Sequence, residues 1–211
     1  MTAMFRRKQS SAAQEAADAA EEAGAEFDPT GGPYDVDDVD LDDGVERVDL
    51  GGLLLVPTPG RELRLQVDEA TQAVQAVLIA GPEGALELKP FAAPRGGTLW
   101  DEIRPQIAAD MARRGGEVSE REGKHGPELI GSVPVQVAPD QTAHQPSRIV
   151  GVSGPRWLLR ATFLGMPAIK PEDAGDWDDV LAAVIVRRGT QAMPAGDAIP
   201  LTLPPQARPQ G

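Results

Sequence analysis

The chain has 211 residues, with 33 acidic and 20 basic side chains, a formal net charge of −13 and no cysteine. The lack of cysteine excludes a disulfide framework, a thiolate zinc site and a cysteine nucleophile, and it favours a cytoplasmic protein. No apolar run approaches the roughly 20 residues that a membrane-spanning helix needs, so we expect no contact with a membrane.

Most of the negative charge lies near the start of the chain. Residues 12–43 hold 12 acidic side chains and no Lys or Arg, so the remaining residues carry 21 acidic groups against 20 basic ones. Residues 1–44 also lack large apolar side chains at a helical or strand period, and such a segment cannot offset its conformational entropy by burial. We therefore predict a disordered acidic arm, whose alanine-rich part at 12–26 is suited to folding on a partner.

The aspartate-rich run at 35–43 resembles a calcium-binding loop. An EF-hand loop, however, needs Gly where Asp43 stands and a bidentate Glu where Asp49 stands. We therefore interpret the run as a solvated acidic linker and expect no metal site.

Short apolar runs separated by Gly and Pro begin at residue 45. They predict an α+β domain at 45–188, built mainly on an antiparallel sheet of short strands with two helices packed on it. Strands are predicted at 53–56, 63–67, 74–80, 85–91, 117–121, 128–137 and 148–164, with turns at 81–84 and 154–157. Pro134 places its strand at a sheet edge or at a bulge.

A first helix is predicted from Thr98 to Gly115. Its apolar residues recur at helical spacing, namely Trp100, Ile103, Ile107 and Met111. Pro105 leaves two alternatives, because it kinks a helix that begins at Thr98 but lies harmlessly in the first turn of one that begins near Arg104. We favour the kinked helix.

A last helix is predicted to begin at Pro171, with an apolar stripe from Trp177 to Ile185. Residues 184–186 fit a final strand equally well. The remaining tail, residues 189–211, is rich in proline. We expect it to be extended, with three apolar side chains held against the domain. These are Ile199, Leu201 and Leu203.

Few residues offer catalytic chemistry. His125 and His144 lie in polar stretches rich in Pro and Gly, where a solvated loop histidine is the ordinary interpretation. Ser153 precedes a Gly-Pro turn without an evident base, while Asp101 and Glu102 suit the start of a helix. The sequence has no phosphate-binding loop, nucleophile elbow or zinc-binding helix motif, and it favours a non-enzymatic protein without a cofactor.

Arginine side chains give the strongest indication of a binding site. Arg156 and Arg160 are predicted on one face of a strand, about 13 Å apart, where their long side chains can converge. With Arg148 or Arg95 nearby they predict a site for a phosphate or carboxylate. The alternative is a solvated sheet face on which arginine stems cover Leu158. Nucleic acid is disfavoured, because the domain is almost neutral and the arm repels phosphate.

Six runs of the sequence stand out together by their order and spacing. They are DLGGLLLVP at 49–57, FAAPRGGTLWDEIR at 91–104, RRGGEV at 113–118, GPELIGSVPV at 126–135, GVSGPRWLLR at 151–160 and VIVRRG at 184–189. Over about residues 45–204 the chain resembles an uncharacterised actinobacterial family, the domain of unknown function thirty-seven ten. The resemblance implies an acidic front segment but no particular activity. The family's pattern has an aromatic residue where His125 stands and an Asp where Ser153 stands.

These observations leave rival hypotheses for function. The first is a non-enzymatic intracellular interaction or regulatory protein, whose acidic arm contacts a basic protein partner. The second is a binding domain or enzyme for a small anionic ligand, such as a nucleotide or metabolite, that uses the arginine-bearing face. A third is an acidic mimic that competes with nucleic acid for a basic protein.

Overall fold

A computed structural model describes residues 28, 31–96, 99–138 and 140–203. Eleven strands in these residues form two sheets. The strands are β1 (Tyr34–Asp35), β2 (Val48–Asp49), β3 (Leu53–Leu55), β4 (Glu62–Val67), β5 (Val74–Ala80), β6 (Gly84–Ala92), β7 (Glu117–Gly123), β8 (Gly126–Ala138), β9 (Gln141–Gly154), β10 (Trp157–Gly165) and β11 (Ile185–Val186). The α-helices are α1 (Leu99–Arg113), α2 (Met166–Ile169) and α3 (Gly175–Ala182).

The larger sheet has seven antiparallel strands in the order β4-β5-β6-β10-β9-β8-β7. The pairing of β6 with β10 joins its two halves. Side chains alternate between the faces of a strand, so Trp157, Leu159 and Phe163 share one face of β10 and Arg160 lies on the other. The predicted strands of this sheet are confirmed, although β9 begins at Gln141 rather than near Arg148.

The main hydrophobic core lies between the first face of this sheet and a small sheet of order β1-β11-β3-β2. Trp157, Leu159 and Phe163 are buried there together with Leu53 of β3 and Trp177 of α3. In the small sheet β1 runs parallel to β11, while the other pairs are antiparallel.

Helix α1 packs on the opposite face of the large sheet, over β7, β8 and β9. Its Trp100 lies so close to Gly151 that a Cβ atom on this glycine would be 2.1 Å from the indole ring. The Trp100 Nε1 donates a hydrogen bond to the carbonyl of Pro127 at 2.7 Å. Because α1 covers only part of this face, Arg64 of β4 stays exposed and Lys89 of β6 half-buried.

The first helix begins ahead of Pro105 and runs through it, so the alternative start near Arg104 is wrong. Thr98, where the helix is predicted to begin, is outside the described residues. Gly115 follows the helix with a φ of 79°, as expected for the residue that ends it.

Proline at position 134 marks the outer edge of the hairpin formed by β8 and β9. The pairing of β7 with β8 stops at Ser132, whereas β8 and β9 continue together beyond it. Pro134 is therefore on an edge that no neighbouring strand covers, which agrees with the predicted edge position.

The ordered fold begins earlier than predicted. Residues 1–27, which hold the alanine-rich part of the arm, lie outside the described residues, and their disorder stays a prediction. Asp35 pairs in register with Val186, is 8% exposed and accepts a hydrogen bond from Trp157 Nε1 at 2.6 Å. The arm predicted at 1–44 therefore extends too far. The sequence gives no sign of this, because the partners that hold Asp35 in place are distant in the chain and no apolar pattern marks the residues around it.

The last helix is shorter than predicted. A 3-10 turn at Pro171–Asp173 precedes α3, which ends at Ala182, and Ile185–Val186 forms β11 between β1 and β3. The helical assignment of residues 184 and 185 is therefore wrong, and the alternative of a final strand is correct.

The tail after residue 188 also takes part in the fold. Ile199 and Leu201 are buried, as expected, and Leu201 bridges Gly51 and Val74, whereas Leu203 is 36% exposed. The predicted boundary at 188 is therefore too early, because residues of the tail at 189–211 contribute to the core of the domain.

The α+β class is confirmed by mainly antiparallel sheets with two longer helices, α1 and α3, on opposite faces of the large sheet. Within the part of the chain that the structure describes, no helix is both long and apolar enough to cross a membrane.

Candidate ligand-binding site

A cleft of about 700 Å³ lies beside α1 on the partly covered face of the large sheet. The helix supplies one wall, and strands β6, β10 and β9 supply the floor. Apolar side chains share both surfaces with polar ones. The apolar side chains include Ile103, Ile107 and Met111 from the helix, and Phe91, Ile149 and Leu164 from the strands. The cleft can therefore bury an apolar group of a ligand.

Arg160 supplies a positive charge to the floor of this cleft. Its side chain is 24% exposed and lies over the Phe91 ring, 5.5 Å from the centroid. The nearest carboxylate oxygen, Glu87 Oε1, is 3.9 Å from Arg160 Nη2, which is too far for a hydrogen bond. Burial lowers the pKa of Arg160, and the nearby Glu87 partly opposes this shift. Among the described residues the guanidinium has no hydrogen-bond partner.

Glu87 and Thr162 lie next to this arginine. They are cross-strand partners on β6 and β10, two residue pairs along from Lys89 and Arg160 and therefore on the same face. Lys89 Nζ approaches Glu87 Oε1 at 3.2 Å, so both cations face the same carboxylate oxygen. The polar end of the cleft thus combines guanidinium donors, a carboxylate and a hydroxyl.

The structure does not bring the four predicted arginines together. Only Arg160 lines the cleft. Arg156 is in the two-residue turn between β9 and β10, with a φ of 62°, and not on the strand face shared with Arg160. Arg95 is exposed in the turn that follows β6. The predicted cluster is therefore not present as such, because the turn and the opposite faces of the sheet separate its members.

Arg148 belongs to a buried ionic chain on the other face of the sheet. Its Nε donates to Glu128 Oε2 at 3.0 Å, and its Nη1 donates to Asp178 Oδ1 at 2.8 Å. Glu128, which is 1% exposed, also accepts from Arg121 Nε at 2.6 Å. The Arg148 guanidinium lies 4.7 Å from the centroid of the Phe163 ring. These contacts hold the arginine within the fold and give it a structural role.

His125 lies half-buried in the turn between β7 and β8, near the same ionic chain. Burial lowers its pKa most, and the charges of Lys124 and Arg148 lower it further, while Asp178 and Glu128 oppose the shift. The imidazole is therefore neutral at pH 7 in the folded protein. His144, by contrast, is exposed on β9.

We expect this histidine to make stability depend on pH. The unfolded chain takes up its proton near the usual value of 6.5, whereas the folded chain does so at lower pH. The contribution of neutral His125 to the free energy of unfolding is thus complete above about pH 6.5. It is lost as the pH falls through the pKa of the folded state. Urea unfolding at about pH 7.5 and about pH 5.5 should show a smaller loss of stability for His125→Gln than for the unchanged chain. His144 is exposed, so His144→Gln serves as the control. It should lose as much stability between these two pH values as the unchanged chain does.

The remaining candidate residues have ordinary structural positions. Asp101 accepts a hydrogen bond from Arg104 at 2.9 Å near the start of α1, and Ser153 is exposed on β9. No group of three or more metal-binding side chains is found in residues 28, 31–96, 99–138 and 140–203.

The sequence of this chain matches a known family. The family described as Protein of unknown function (DUF3710) matches over residues 32–210. The chain belongs to this family. The match begins ahead of β1, so the DUF3710 unit includes all eleven described strands and extends beyond the predicted range of 45–204.

Comparisons beyond the family are distant. No curated protein matches this DUF3710 protein significantly. Its fold is similar to the solution structure of the cyanobacterial PsbP protein (CyanoP) from Synechocystis sp. PCC 6803, with 12% identity and a TM-score of 0.36 over 67% of this chain and 91% of that one. A crystal structure of a Bacteroides thetaiotaomicron VPI-5482 protein gives 11% identity and a TM-score of 0.36 over 68% of this chain and 48% of that one. Likenesses at this level carry no argument about function.

Sequence reasoning missed most of the residues that form the cleft of this DUF3710 protein. Ile103, Ile107 and Met111 were predicted on one face of a helix, but their spacing does not say which part of the sheet the helix leaves open. Glu87 appears in the sequence only as the polar position of an alternating strand. The pairing of β6 with β10 places it beside Arg160, and this pairing joins residues more than 70 positions apart.

Proposed function

We propose that this protein binds a small amphipathic molecule, with an anionic head group on Arg160 and an apolar body along α1. The observation that carries the proposal is the half-buried Arg160 side chain at the cleft, whose guanidinium lies 3.9 Å from Glu87 and donates no hydrogen bond to the described residues. A guanidinium has five N–H donors, so this one can bind a ligand without giving up a hydrogen bond to a described residue. A carboxylate or phosphate would supply the missing acceptor in bidentate geometry.

The size and lining of the cleft support the same class of ligand. Small-molecule sites usually measure roughly 300–1,000 Å³ and are lined mainly by apolar side chains with a few polar groups. The volume of the cleft, about 700 Å³, lies in this range, and its lining combines apolar side chains with a similar share of polar and charged ones. Three arginines and two carboxylates line it, in a chain whose net charge is −13. The charged arginines at its far end are Arg113 and Arg114. An anion is therefore attracted locally despite the acidic character of the whole protein.

A binding role, rather than a catalytic one, fits the polar end of the cleft best. Arg160, Glu87 and Thr162 match the hydrogen-bonding groups of a ligand head group. This role agrees with a non-enzymatic regulatory protein that responds to a metabolite. A basic protein partner for the acidic arm is a separate prediction, since the arm's first 27 residues lie outside the described ranges.

Titration with anilinonaphthalene sulfonate, a fluorescent amphipathic anion, tests the proposal. We expect saturable binding to the full chain, and we expect Arg160→Gln to weaken it about tenfold or more, because a charged hydrogen bond contributes about 1.5–3 kcal/mol. Arg64→Gln is the matched control, since Arg64 lies exposed on the same sheet face and pairs with Glu62. Equal weakening by both variants, or by neither, would overturn the assignment of Arg160.

A further inference from the structure

We infer that the head group in this cleft is zwitterionic, so that the ligand is an apolar α-amino acid or a close analogue. This inference rests on the proposed function and names the ligand class for the same site. It follows from the two opposite charges that stand side by side on the floor of the cleft, Arg160 and Glu87.

Both side chains have unused hydrogen-bonding capacity in the described structure. Glu87 forms ion pairs with Lys89 and Arg160, whose shortest distances, both to Oε1, are 3.2 and 3.9 Å. A carboxylate has about four acceptor positions, so these contacts leave Glu87 able to accept further hydrogen bonds. The guanidinium of Arg160 likewise donates no hydrogen bond to them. The cleft therefore presents an unfilled acceptor beside an unfilled set of donors.

A simple anion fits this pair less well than a zwitterion does. Arg160 Nη2 and Glu87 Oε1 are 3.9 Å apart, so any carboxylate bound to the arginine comes close to the Glu87 carboxylate. The two like charges then repel in a half-buried site, where screening by water is reduced, and Lys89, 3.2 Å from Glu87 Oε1, offsets part of this repulsion. An α-amino acid bears an ammonium group on the carbon next to its carboxylate. Its carboxylate can pair with Arg160 while its ammonium pairs with Glu87.

The surroundings set the character of the rest of the ligand. Phe91 lies under the arginine, and the apolar wall of α1 begins next to it with Ile103 and Ile107. Next to Phe91, Ile103 and Ile107, a polar or charged amino-acid side chain would lose its hydration against apolar neighbours. The geometry therefore favours an aliphatic or aromatic side chain, and the space of about 700 Å³ accepts one that is long.

Three probes with the same tail and different head groups test this inference. They are α-aminooctanoate, octanoate and octylamine, each used to displace anilinonaphthalene sulfonate from the full chain. We expect α-aminooctanoate to bind about tenfold more tightly than octanoate, as one additional charged hydrogen bond implies, and octylamine to bind most weakly. Octanoate that binds as tightly as α-aminooctanoate, or more tightly, would overturn the zwitterionic head group.

The variant Glu87→Gln tests whether Glu87 causes the tighter binding of α-aminooctanoate. In this variant the advantage of α-aminooctanoate over octanoate should disappear, because the ammonium loses its counter-charge and the carboxylate loses its repulsion. Glu69→Gln, at an exposed position in the turn between β4 and β5, is the matched control and should keep the advantage. A preference that survives Glu87→Gln contradicts the inference.

The two proposals fail in different ways. If anilinonaphthalene sulfonate does not bind, or binds without regard to Arg160, the proposed function fails. If it binds through Arg160 but octanoate outcompetes α-aminooctanoate, the proposed function stands and only the zwitterionic head group is rejected.

Discussion

Replacing Glu128 with Gln is expected to lower the free energy of unfolding by about 3–5 kcal/mol, which is typical for removal of one partner from a buried ion pair. Glu128 is 1% exposed and accepts hydrogen bonds from both Arg121 and Arg148. Its loss leaves the buried guanidinium of Arg148 with Asp178 as its remaining carboxylate partner. Urea unfolding monitored by tryptophan fluorescence measures the change.

Two further variants separate this explanation from a general sensitivity of the hairpin. Glu122→Gln removes an exposed carboxylate from β7, next to the same hairpin, and should change stability by less than about 0.5 kcal/mol. The double variant Glu128→Met with Arg148→Met should cost less than Glu128→Met alone, because it leaves no unpaired charge buried between them. A double variant that costs the sum of the two single changes would contradict the pairing argument.

Replacing Gly151 with Ala is expected to lower stability by about 3 kcal/mol, at the upper end of the usual range for overpacking. The new Cβ would lie 2.1 Å from the ring of Trp100, so the indole and the start of α1 must move away from β9. Because α1 forms one wall of the cleft, binding of anilinonaphthalene sulfonate should weaken in the same variant. Thermal unfolding and the dye titration measure the two effects.

Gly175→Ala is the matched control for this glycine. Gly175 begins α3, and a Cβ atom there would meet no atom within 4 Å, so the substitution should be neutral or slightly stabilising. Trp100→Leu should reduce the cost of Gly151→Ala when the two are combined, because the smaller side chain leaves room for the methyl group. Strictly additive effects would show that the ring is not the source of the strain.

The sequence predicted those features that depend on neighbours along the chain. Alternating apolar residues located β4 and β6, a run that is apolar on both faces located β5, and the helical spacing from Trp100 to Met111 located α1. The family resemblance agreed with the DUF3710 match, which begins ahead of β1. Each of these signals lies within one element, where burial follows a fixed period.

The features that the sequence did not predict depend on distant pairing. The run at 184–186 is too short to separate helix from strand, and it becomes β11 because β1 and β3 lie on either side of it. Arg148 was grouped with Arg160, yet its position an even number of residues from Val150 places it on the core face, next to Glu128. Its role depends on the register between β8 and β9, which the sequence of their hairpin turn does not fix.

The candidate site illustrates the same limit. Arg160 was predicted on the strand face that also bears Leu158, and the structure places both side chains on that face. The cleft beside Arg160 exists because α1 packs mainly over β7, β8 and β9 and leaves part of β6 open. Tertiary packing decides how far a helix extends across a sheet, and here the contact of Trp100 with Gly151 fixes the position of α1. No local sequence pattern predicts this contact.

The most direct test of the central claim is to observe the Arg160 side chain itself during ligand binding. Nuclear magnetic resonance spectra of arginine Nε–H groups can be recorded during titration with octanoate, and Arg160→Gln identifies the signal of interest. We predict that this signal shifts saturably with octanoate and not with octanamide, which has the same tail without a charge, while the Arg64 signal stays in place. An unmoved Arg160 signal, or an equal response to octanamide, would contradict an anionic head group bound at this residue.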